Sequence, residues 1–308
     1  MKSSILLDKG TLWKKIVKTT ANALATGALL PIPTNYEFIE DGGVRFFVRI
    51  LANLTAKDEE RKKQGEKGER INPFLPFERD LFVADISETH VAVLNKFNVV
   101  GHHLLIITRE FEEQKTLLTV MDFEALWACL DAYDGLGFYN GGETAGASQP
   151  HKHLQLVPLP LAPEGPRVPV EPLLVSVKVQ GRIGNVPGFP FLHAFGRLDT
   201  GDGDPSDHPA AAARSFDLYC QMLQHIGLSV TSAGGRVRQS PPYCLIVTRE
   251  WMLLVPRSTE FFEGISINSL AYAGALLVRN ERQLEVLKRH GPMTALKSTA
   301  LQRSFNLP

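Results

Sequence analysis

The sequence is poor in cysteine, carries no excess charge of either sign and lacks long apolar runs. Its three cysteines, Cys129, Cys220 and Cys244, are far apart and sit among apolar residues. They indicate buried thiols in a reducing compartment rather than a disulfide framework or a zinc site. Lysine plus arginine and aspartate plus glutamate both total 33, which excludes the general basic field that is typical of nucleic-acid-binding proteins.

The absence of long apolar runs bears on location. No stretch approaches the roughly 18 uninterrupted apolar residues that a membrane span needs, and the N-terminus has no apolar signal region. With 308 residues, of which 44% are hydrophobic and 21% charged, the chain has material for one large domain or two modest ones. We expect a cytoplasmic globular protein with no membrane or nucleic-acid partner, and a monomer by default.

The stretch from Asn140 to Pro158 carries the most chemical information. Its first part is rich in glycine, alanine and serine, so its backbone N–H groups can approach an anionic ligand closely. In the strand that follows, the two-residue period puts His151, His153 and Gln155 on one face. An imidazole behind a phosphate-binding loop can attack phosphorus and hold the transferred group as a phosphoramidate.

Two simpler interpretations of a His-x-His pair stay open at this point. The pair can bind a metal, or it can fill a polar strand face. The glycine- and serine-rich loop, the glutamine at the place of a third histidine, and the lack of a cysteine or carboxylate within the strand favour catalysis over both.

The segment GASQPHKHLQ, residues 146–155, resembles the nucleophile segment of the diadenosine tetraphosphate phosphorylases. These enzymes, also called ATP adenylyltransferases, belong to the transferase branch of the histidine-triad superfamily, where His-x-His-x-Gln is the usual pattern. Residues 243–258 and 264–278 resemble the C-terminal region of the same family, in the same order. The resemblance implies that His153 is the nucleophile, and that His151 and Gln155 orient it and contact the phosphate.

The resemblance also implies a fold and a reaction. We expect an α+β fold, a histidine-triad-like and mainly antiparallel sheet with packed helices, extended by a C-terminal region. An N-terminal catalytic region over residues 1–165 and a C-terminal region over residues 185–300 form its two parts. The implied reaction is phosphorolysis of diadenosine tetraphosphate to ATP and ADP through an AMP-histidine intermediate.

Further binding residues follow from the loop and from the resemblance. The backbone of Gly146, Ala147 and Ser148, together with the side chains of Ser148, Gln149, Gln155 and Asn140, can donate hydrogen bonds to the reacting phosphate. Lys57 and Arg249, and with them Arg257, are the cations predicted to meet the remote phosphates. Asn95, in the family-like segment Leu-Asn-Lys-Phe, is placed to hydrogen-bond the nucleotide, although an ordinary turn residue is the alternative.

The predicted partners are small molecules: a dinucleoside polyphosphate, phosphate, ATP and ADP. We expect Mg²⁺ or another divalent cation to accompany the polyphosphate, without a fixed protein metal site. Two other functions stay open. One is a related nucleotidylyltransferase acting on adenosine phosphosulfate or a nucleotide sugar, and the other is a non-catalytic dinucleotide-binding sensor.

Periodicity and turn signals predict the remaining elements. A charged loop is expected at residues 57–70, an extended proline-rich crossover at 158–172 and an aspartate-rich loop at 199–207. Asp122 is expected to cap a helix, and Gly291-Pro292 to end one. Helices are predicted over residues 8–29 and 210–224 and between 268 and 290, and strands over 44–51, 81–86, 90–94, 103–108, 137–140, 174–179, 191–198, 243–248 and 252–255.

Overall fold

The computed structural model describes residues 5–52, 72–198, 207–233, 236–240 and 242–302. The predicted phosphate ligand Lys57, the charged segment 57–70 and residues 199–206 of the aspartate-rich segment lie outside these described residues. The predictions made for them therefore stay predictions.

Seven helices and seventeen strands occur in the described residues. The helices are α1 Leu12–Thr26, α2 Val120–Leu130, α3 Glu171–Leu174, α4 His208–His225, α5 Ser269–Tyr272, α6 Glu281–His290 and α7 Pro292–Thr299. The strands are β1 Thr34–Asp41, β2 Val44–Leu51, β3 Phe82–Asp85, β4 His90–Leu94, β5 Leu104–Thr108, β6 Gly135–Asn140, β7 His153–Pro158, β8 Val179–Gln180, β9 Ile183–Gly184, β10 Ala194–Arg197, β11 Ser229–Ala233, β12 Arg236–Ser240, β13 Tyr243–Val247, β14 Trp251–Pro256, β15 Phe261–Phe262, β16 Ile265–Ser266 and β17 Ala275–Val278.

Ten of these strands form one sheet, in the order β3-β4-β5-β7-β6-β13-β14-β10-β9-β8, and every neighbouring pair in it is antiparallel. Its N-terminal and C-terminal strands meet where β6 pairs with β13, with Asn140 opposite Cys244. A smaller sheet of β1, β2 and β17 contains a parallel pair, because β17 runs alongside β2. The predicted α+β fold with a mainly antiparallel sheet is confirmed.

The large sheet buries different clusters on its two faces. On one face, Leu154 and Leu156 of β7 pack with apolar residues of α1, α2 and α4. On the other face, a second cluster contains Phe138 and Val157, and a third smaller one contains Phe74. The two-residue period of β7 therefore separates its leucines from His153 and Gln155, as the sequence predicts.

The start of α2 differs from the prediction. Thr119, not Asp122, is the N-cap: its side chain accepts from the Asp122 N–H, while the Asp122 carboxylate accepts from the Thr119 N–H at 2.6 Å. This reciprocal pair is a capping box, in which the acidic residue stands at the third helical position.

Two other predictions fail locally, and the predicted helix stop at Gly291 is confirmed. Of the predicted strand 174–179, only Val179 lies in a strand, the two-residue β8. Leu174 instead ends α3, whose first turn contains Pro172, where the missing N–H costs nothing. The helical stretch 268–290 is interrupted by β17, whose alternate residues are buried against β2. Gly291, with φ of +82°, does end α6, but Pro292 begins α7 at once.

Two further predictions concern the burial of the cysteines and the absence of a membrane-spanning helix. Cys129 and Cys244 are buried and Cys220 is exposed, so the prediction of a buried thiol is wrong for Cys220. Its neighbours Tyr219 and Leu223 take the inward face of α4. Within the part of the chain that the structure describes, no helix is both long and apolar enough to cross a membrane.

Candidate active site

His153 opens β7 on the sheet face opposite Leu154 and is almost completely buried. The ring of Phe74 meets its imidazole edge-on, with 5.3 Å between ring centroids. The backbone N–H of His153 donates to Oε1 of Gln114 at 2.8 Å. The main chain and the ring of this residue are therefore both held in place.

The tautomer of His153 is fixed by its own chain. Its Nδ1 lies 2.7 Å from the carbonyl oxygen of His151, two residues earlier. A carbonyl oxygen can only accept, so Nδ1 carries the proton and Nε2 carries the lone pair. Burial, helped by the nearby His151, outweighs the opposing effect of the hydrogen bond to the His151 carbonyl and lowers the pKa of His153 to about 4. At physiological pH the ring is neutral, as a nucleophile must be.

The ring of His151 has other partners. It is completely buried; Nδ1 accepts from the side-chain amide of Asn72 at 3.0 Å, and Nε2–H donates to the Thr108 carbonyl at 2.9 Å. Both ring nitrogens are thus engaged within the protein, so the predicted contact of this ring with phosphate is not supported. What His151 offers to His153 is its backbone carbonyl.

Gln155 is half-buried two residues further along β7. Its Oε1 lies 3.0 Å from Nε2 of His103, which leaves the amide nitrogen as the polar group for a ligand. Asn95 stands behind His103, with Nδ2 at 3.2 Å from its Nδ1. The structure thus brings Asn95 to Gln155 through His103, and direct nucleotide binding by Asn95 stays a prediction.

The glycine-rich loop does not form the whole predicted cradle. The N–H of Gly146 donates to the Glu143 carbonyl at 2.8 Å, and that of Ala147 donates to the Gly142 carbonyl at 3.2 Å. These two amides donate within the loop, so the structure does not support their predicted role as phosphate donors. Ser148, which is exposed, and Gln149, which is half-buried, are the loop residues left for that role.

Gly146 is needed for a different reason. Its φ is +91°, and a Cβ at this position would lie 2.9 Å from Cβ of Asn268. The loop is also fastened to the start of α5 by Asn140, whose buried Oδ1 accepts from the Ser269 N–H at 2.9 Å and from its hydroxyl at 2.6 Å. A phosphate contact from Asn140 stays a prediction and would fall to its amide nitrogen.

The two predicted arginines point elsewhere. Nε of Arg249 donates to the Leu130 carbonyl at 2.9 Å, at the end of α2 on the sheet face away from His153. The structure therefore does not bring Arg249 into the site. Arg257 is buried beneath the loop and donates to the Ala145 carbonyl at 3.4 Å and to the Thr299 carbonyl at 3.0 Å.

Gln114 is one of the site residues that the sequence did not reveal. Its amide nitrogen donates to the carbonyl of Asn140 at 2.9 Å and to that of His153 at 3.2 Å, while its Oε1 accepts from the His153 N–H. It thereby joins the end of β6 to the start of β7. A single glutamine in a polar stretch has no sequence signature, and its partners are 26 and 39 positions away.

A buried charged network lies behind the nucleophile. Lys152 donates to Asp122 at 2.8 Å, and Asp122 also contacts Nε2 of His90 at 3.1 Å. Burial alone would raise the pKa of Asp122, but the hydrogen bond from His90 and the charge of Lys152 hold it well below its usual range. The ion pair with Asp122 thus fixes Lys152, which stands between His151 and His153, to the first turn of α2.

Metal-ligating side chains do not cluster in the part of the chain that the structure describes. In residues 5–52 and 72–198 and in the described C-terminal ranges, no group of three or more histidine, cysteine, aspartate or glutamate side chains could hold a metal ion. The prediction that a divalent cation arrives with the polyphosphate stays a prediction.

The sequence that forms this arrangement of a neutral histidine and a neighbouring amide matches a known family. Residues 2–176 match the family model of the Ap4A phosphorylase N-terminal domain. The chain belongs to the Ap4A phosphorylase family. Residues 187–302 match a second model, the ATP adenylyltransferase C-terminal domain. The predicted family and its class, the nucleotidyltransferases, are confirmed.

Individual relatives agree with this assignment. The chain is 27% identical over 274 residues to diadenosine 5',5'''-P1,P4-tetraphosphate phosphorylase 2 of Saccharomyces cerevisiae, covering 79% of each chain. It is 27% identical over 252 residues to Protein APA1 of the same yeast, covering 72% of this chain and 73% of the relative.

Solved structures of the yeast Ap4A phosphorylase share the fold. One matches with a TM-score of 0.76 at 22% identity, covering 97% of this chain and 100% of the yeast chain. Another, of the yeast enzyme in complex with Ap4A, matches with a TM-score of 0.74 at 21% identity and the same coverage.

Proposed function

We propose that this protein phosphorolyses diadenosine tetraphosphate to ATP and ADP through an adenylyl group carried on His153. The observation that carries the proposal is the 2.7 Å hydrogen bond from Nδ1–H of His153 to the His151 carbonyl, which leaves Nε2 with its lone pair. Family membership supplies the substrate class, and the yeast enzyme's complex with Ap4A supports it.

The first half-reaction forms the adenylyl enzyme. Nε2 of His153 attacks the α-phosphorus, a P–N bond forms, and the bond from that phosphorus to the bridging oxygen breaks as ATP leaves with the electron pair. The imidazole becomes cationic in this step. Its Nδ1–H already donates to the His151 carbonyl, so the new positive charge is stabilised without movement of the ring.

The second half-reaction returns the histidine. An oxygen of inorganic phosphate attacks the adenylyl phosphorus, the P–N bond breaks, and ADP leaves while Nε2 recovers its lone pair. Both steps pass through the same phosphorus geometry, so one set of hydrogen-bond donors serves both. The donors proposed for that set are Gln155, Ser148, Gln149 and the amide nitrogen of Asn140.

An amide suits the position of Gln155 in a transferase. It donates to a phosphate oxygen but offers no proton to a leaving group. ATP is stable as an anion at neutral pH, and in the second step the imidazole of His153 leaves as a neutral ring, so neither step needs a general acid. A divalent cation such as Mg²⁺ would enter with the polyphosphate, held by phosphate oxygens, and the enzyme would work as a cytoplasmic monomer on small-molecule substrates.

The test is the dependence of the products on phosphate. With Ap4A and phosphate, we expect ATP and ADP in equal amounts from the wild-type protein and none from His153→Ala, measured by chromatography of the nucleotides. AMP and ATP formed at the same rate without phosphate would indicate a hydrolase and contradict the proposal. So would ligand that binds and stays intact, or activity confined to adenosine phosphosulfate or nucleotide sugars.

A further inference from the structure

Gln155 can meet a phosphate in two orientations of opposite effect. With its NH₂ group outward it donates to a phosphate oxygen, and with its carbonyl outward it sets one oxygen against another. Rotation about one bond exchanges the NH₂ group and the carbonyl of an amide that has no fixed partner. Gln155 can therefore serve the proposed reaction only if a neighbouring residue holds its carbonyl away from the phosphate.

The residues behind Gln155 form a chain of hydrogen bonds with a single direction. The chain starts at the backbone N–H of Phe97, which donates to Oδ1 of Asn95 at 3.3 Å. A backbone N–H cannot accept, so this end of the Asn95 amide is its oxygen. The nitrogen Nδ2 then faces Nδ1 of His103 at 3.2 Å.

The direction passes on through the imidazole. Because Asn95 donates to Nδ1, that nitrogen holds the lone pair of the neutral ring and Nε2 carries the proton. Nε2 of His103 lies 3.0 Å from Gln155, and it can only donate. The atom of Gln155 that receives this bond must be Oε1, which turns the NH₂ group away from His103.

A second chain of hydrogen bonds in the site has the same order of donors and acceptors. Asn72 accepts from the Phe74 N–H at 3.0 Å and presents Nδ2 to Nδ1 of His151 at 3.0 Å, and Nε2 of His151 faces the Thr108 carbonyl at 2.9 Å. In that chain the last acceptor is a backbone carbonyl, which can only accept. The independent agreement supports the direction assigned to the Asn95 chain, where the last acceptor is a side chain that could rotate.

We propose that His103, set in one tautomer by the turn of Asn95 and Phe97, is a positioning residue that holds the Gln155 amide with its NH₂ group toward the transferred phosphate. This inference rests on the proposed function. The burial of His103, which is 6% exposed, and its contact with the Phe138 ring at 5.9 Å between centroids keep the imidazole in this place.

The first test uses four variants in the phosphorolysis assay. His103→Phe keeps a ring and removes both nitrogens, and we expect kcat to fall roughly 10- to 100-fold with KM little changed, because the donor becomes misaligned in the transition state. His103→Gln keeps one acceptor and one donor and should recover kcat to within about fivefold of wild type. In a Gln155→Leu background, adding His103→Phe should change kcat by less than about twofold, because nothing is left to orient.

Equal losses from His103→Phe in the wild-type and Gln155→Leu backgrounds would overturn the proposal, because the histidine would then act by a route other than Gln155. Undiminished kcat in His103→Phe would overturn it as well. Thermal unfolding of each variant separates a folding defect from a loss of positioning.

The second test reads the tautomer directly in the wild-type protein. ¹⁵N NMR of the His103 ring should show a protonated Nε2 and an unprotonated Nδ1, and the opposite tautomer would contradict the assignment whether or not any variant folds. This reading needs no substrate. If the wild-type protein did not phosphorolyse Ap4A, only the proposed function would be contradicted. If phosphorolysis were normal but His103 had the other tautomer, only this inference would be contradicted.

Discussion

Two buried histidines, one in each half of the large sheet, share a local geometry and differ in one bond. Nδ1 of His153 faces the carbonyl of His151 at 2.7 Å, and Nδ1 of His193, just before β10, faces the carbonyl of Phe191 at 2.9 Å. In both cases the acceptor belongs to the residue two positions earlier. Both rings are therefore protonated on Nδ1 and have their lone pair on Nε2.

The two histidines differ in the hydrogen bonding of Nε2. Nε2 of His193 accepts from the backbone N–H of Val186 at 2.8 Å, so its lone pair is used inside the protein. In the described residues, no donor is bonded to Nε2 of His153. Burial and a fixed tautomer are thus not sufficient for a nucleophile, and an open Nε2 is what the active-site half adds.

The largest effect should come from removing each histidine in turn. His153→Ala should lose phosphorolysis by on the order of 10³-fold or more, because no other group carries the adenylyl transfer. His193→Ala, the matched control, should keep kcat within about twofold while its free energy of unfolding falls by about 2–4 kcal/mol, since a cavity forms and the Val186 N–H loses its acceptor. Steady-state kinetics and urea unfolding measure the pair, and the opposite pattern would reverse the roles assigned here.

Gln114 fixes the main chain of His153 by accepting a hydrogen bond from its backbone N–H. Gln114→Leu leaves the His153 N–H and the Asn140 carbonyl without their side-chain partner. We expect kcat to fall about tenfold and the free energy of unfolding to fall by about 1–3 kcal/mol. Unchanged kcat in a variant that is equally destabilised would show that the start of β7 needs no such brace.

The lowered pKa of His153 predicts how the rate of adenylylation responds to acid. With a pKa of about 4, the ring stays neutral from pH 8 down to about 5, and the single-turnover rate should vary less than about twofold over that range. An ordinary histidine pKa would instead cause a fall of about 30-fold between pH 8 and 5. Rapid-quench measurements with Ap4A and no phosphate distinguish the two outcomes.

The same shift has a consequence for stability. The folded-state pKa of His153 lies below the unfolded value of about 6.5, so the unfolded chain binds the proton first as the pH falls. This contribution to stability is complete above about pH 6.5 and is lost progressively down to about pH 4. His153→Ala should show a shallower loss of stability across that window, measured by urea unfolding at several pH values.

The smallest effect on catalysis is expected at Arg249. Because its guanidinium binds the Leu130 carbonyl at the end of α2, Arg249→Gln should leave kcat and the KM for Ap4A within about twofold of wild type. A tenfold rise in KM would restore the role in phosphate binding that the sequence suggested. The free energy of unfolding should fall by about 1 kcal/mol, as for a lost exposed or half-buried hydrogen bond.

The sequence predicts those parts of the site that depend on local pattern. The alternation around Leu154 and Leu156 is enough to place His153 and Gln155 on one face, because a strand has a two-residue period. The tautomer of His153 is also a local matter, since its acceptor is two residues away. The family resemblance adds the predicted roles of His153 as nucleophile and of Gln155 as a phosphate contact.

Other parts of the site depend on contacts between distant residues and could not be predicted. Gln114 acquires its role only when β6 and β7 pair, and Arg249 is drawn to α2 by a carbonyl 119 positions away. The amides of Gly146 and Ala147 look available in sequence, but a short turn of the loop uses both. In the fold, β1 was not predicted because all eight of its residues are partly or fully exposed and it shows no apolar alternation.

The central claim is that His153, and not any other buried histidine, takes up the adenylyl group through its open Nε2. Incubation of the wild-type protein with Ap4A in the absence of phosphate, followed by intact-protein mass spectrometry and peptide mapping at neutral to basic pH, tests this directly. We expect one acid-labile, base-stable AMP per chain, on the peptide that contains His153, released as ADP when phosphate is added. An unmodified protein that nevertheless phosphorolyses Ap4A, or an AMP group attached to another residue, would contradict it.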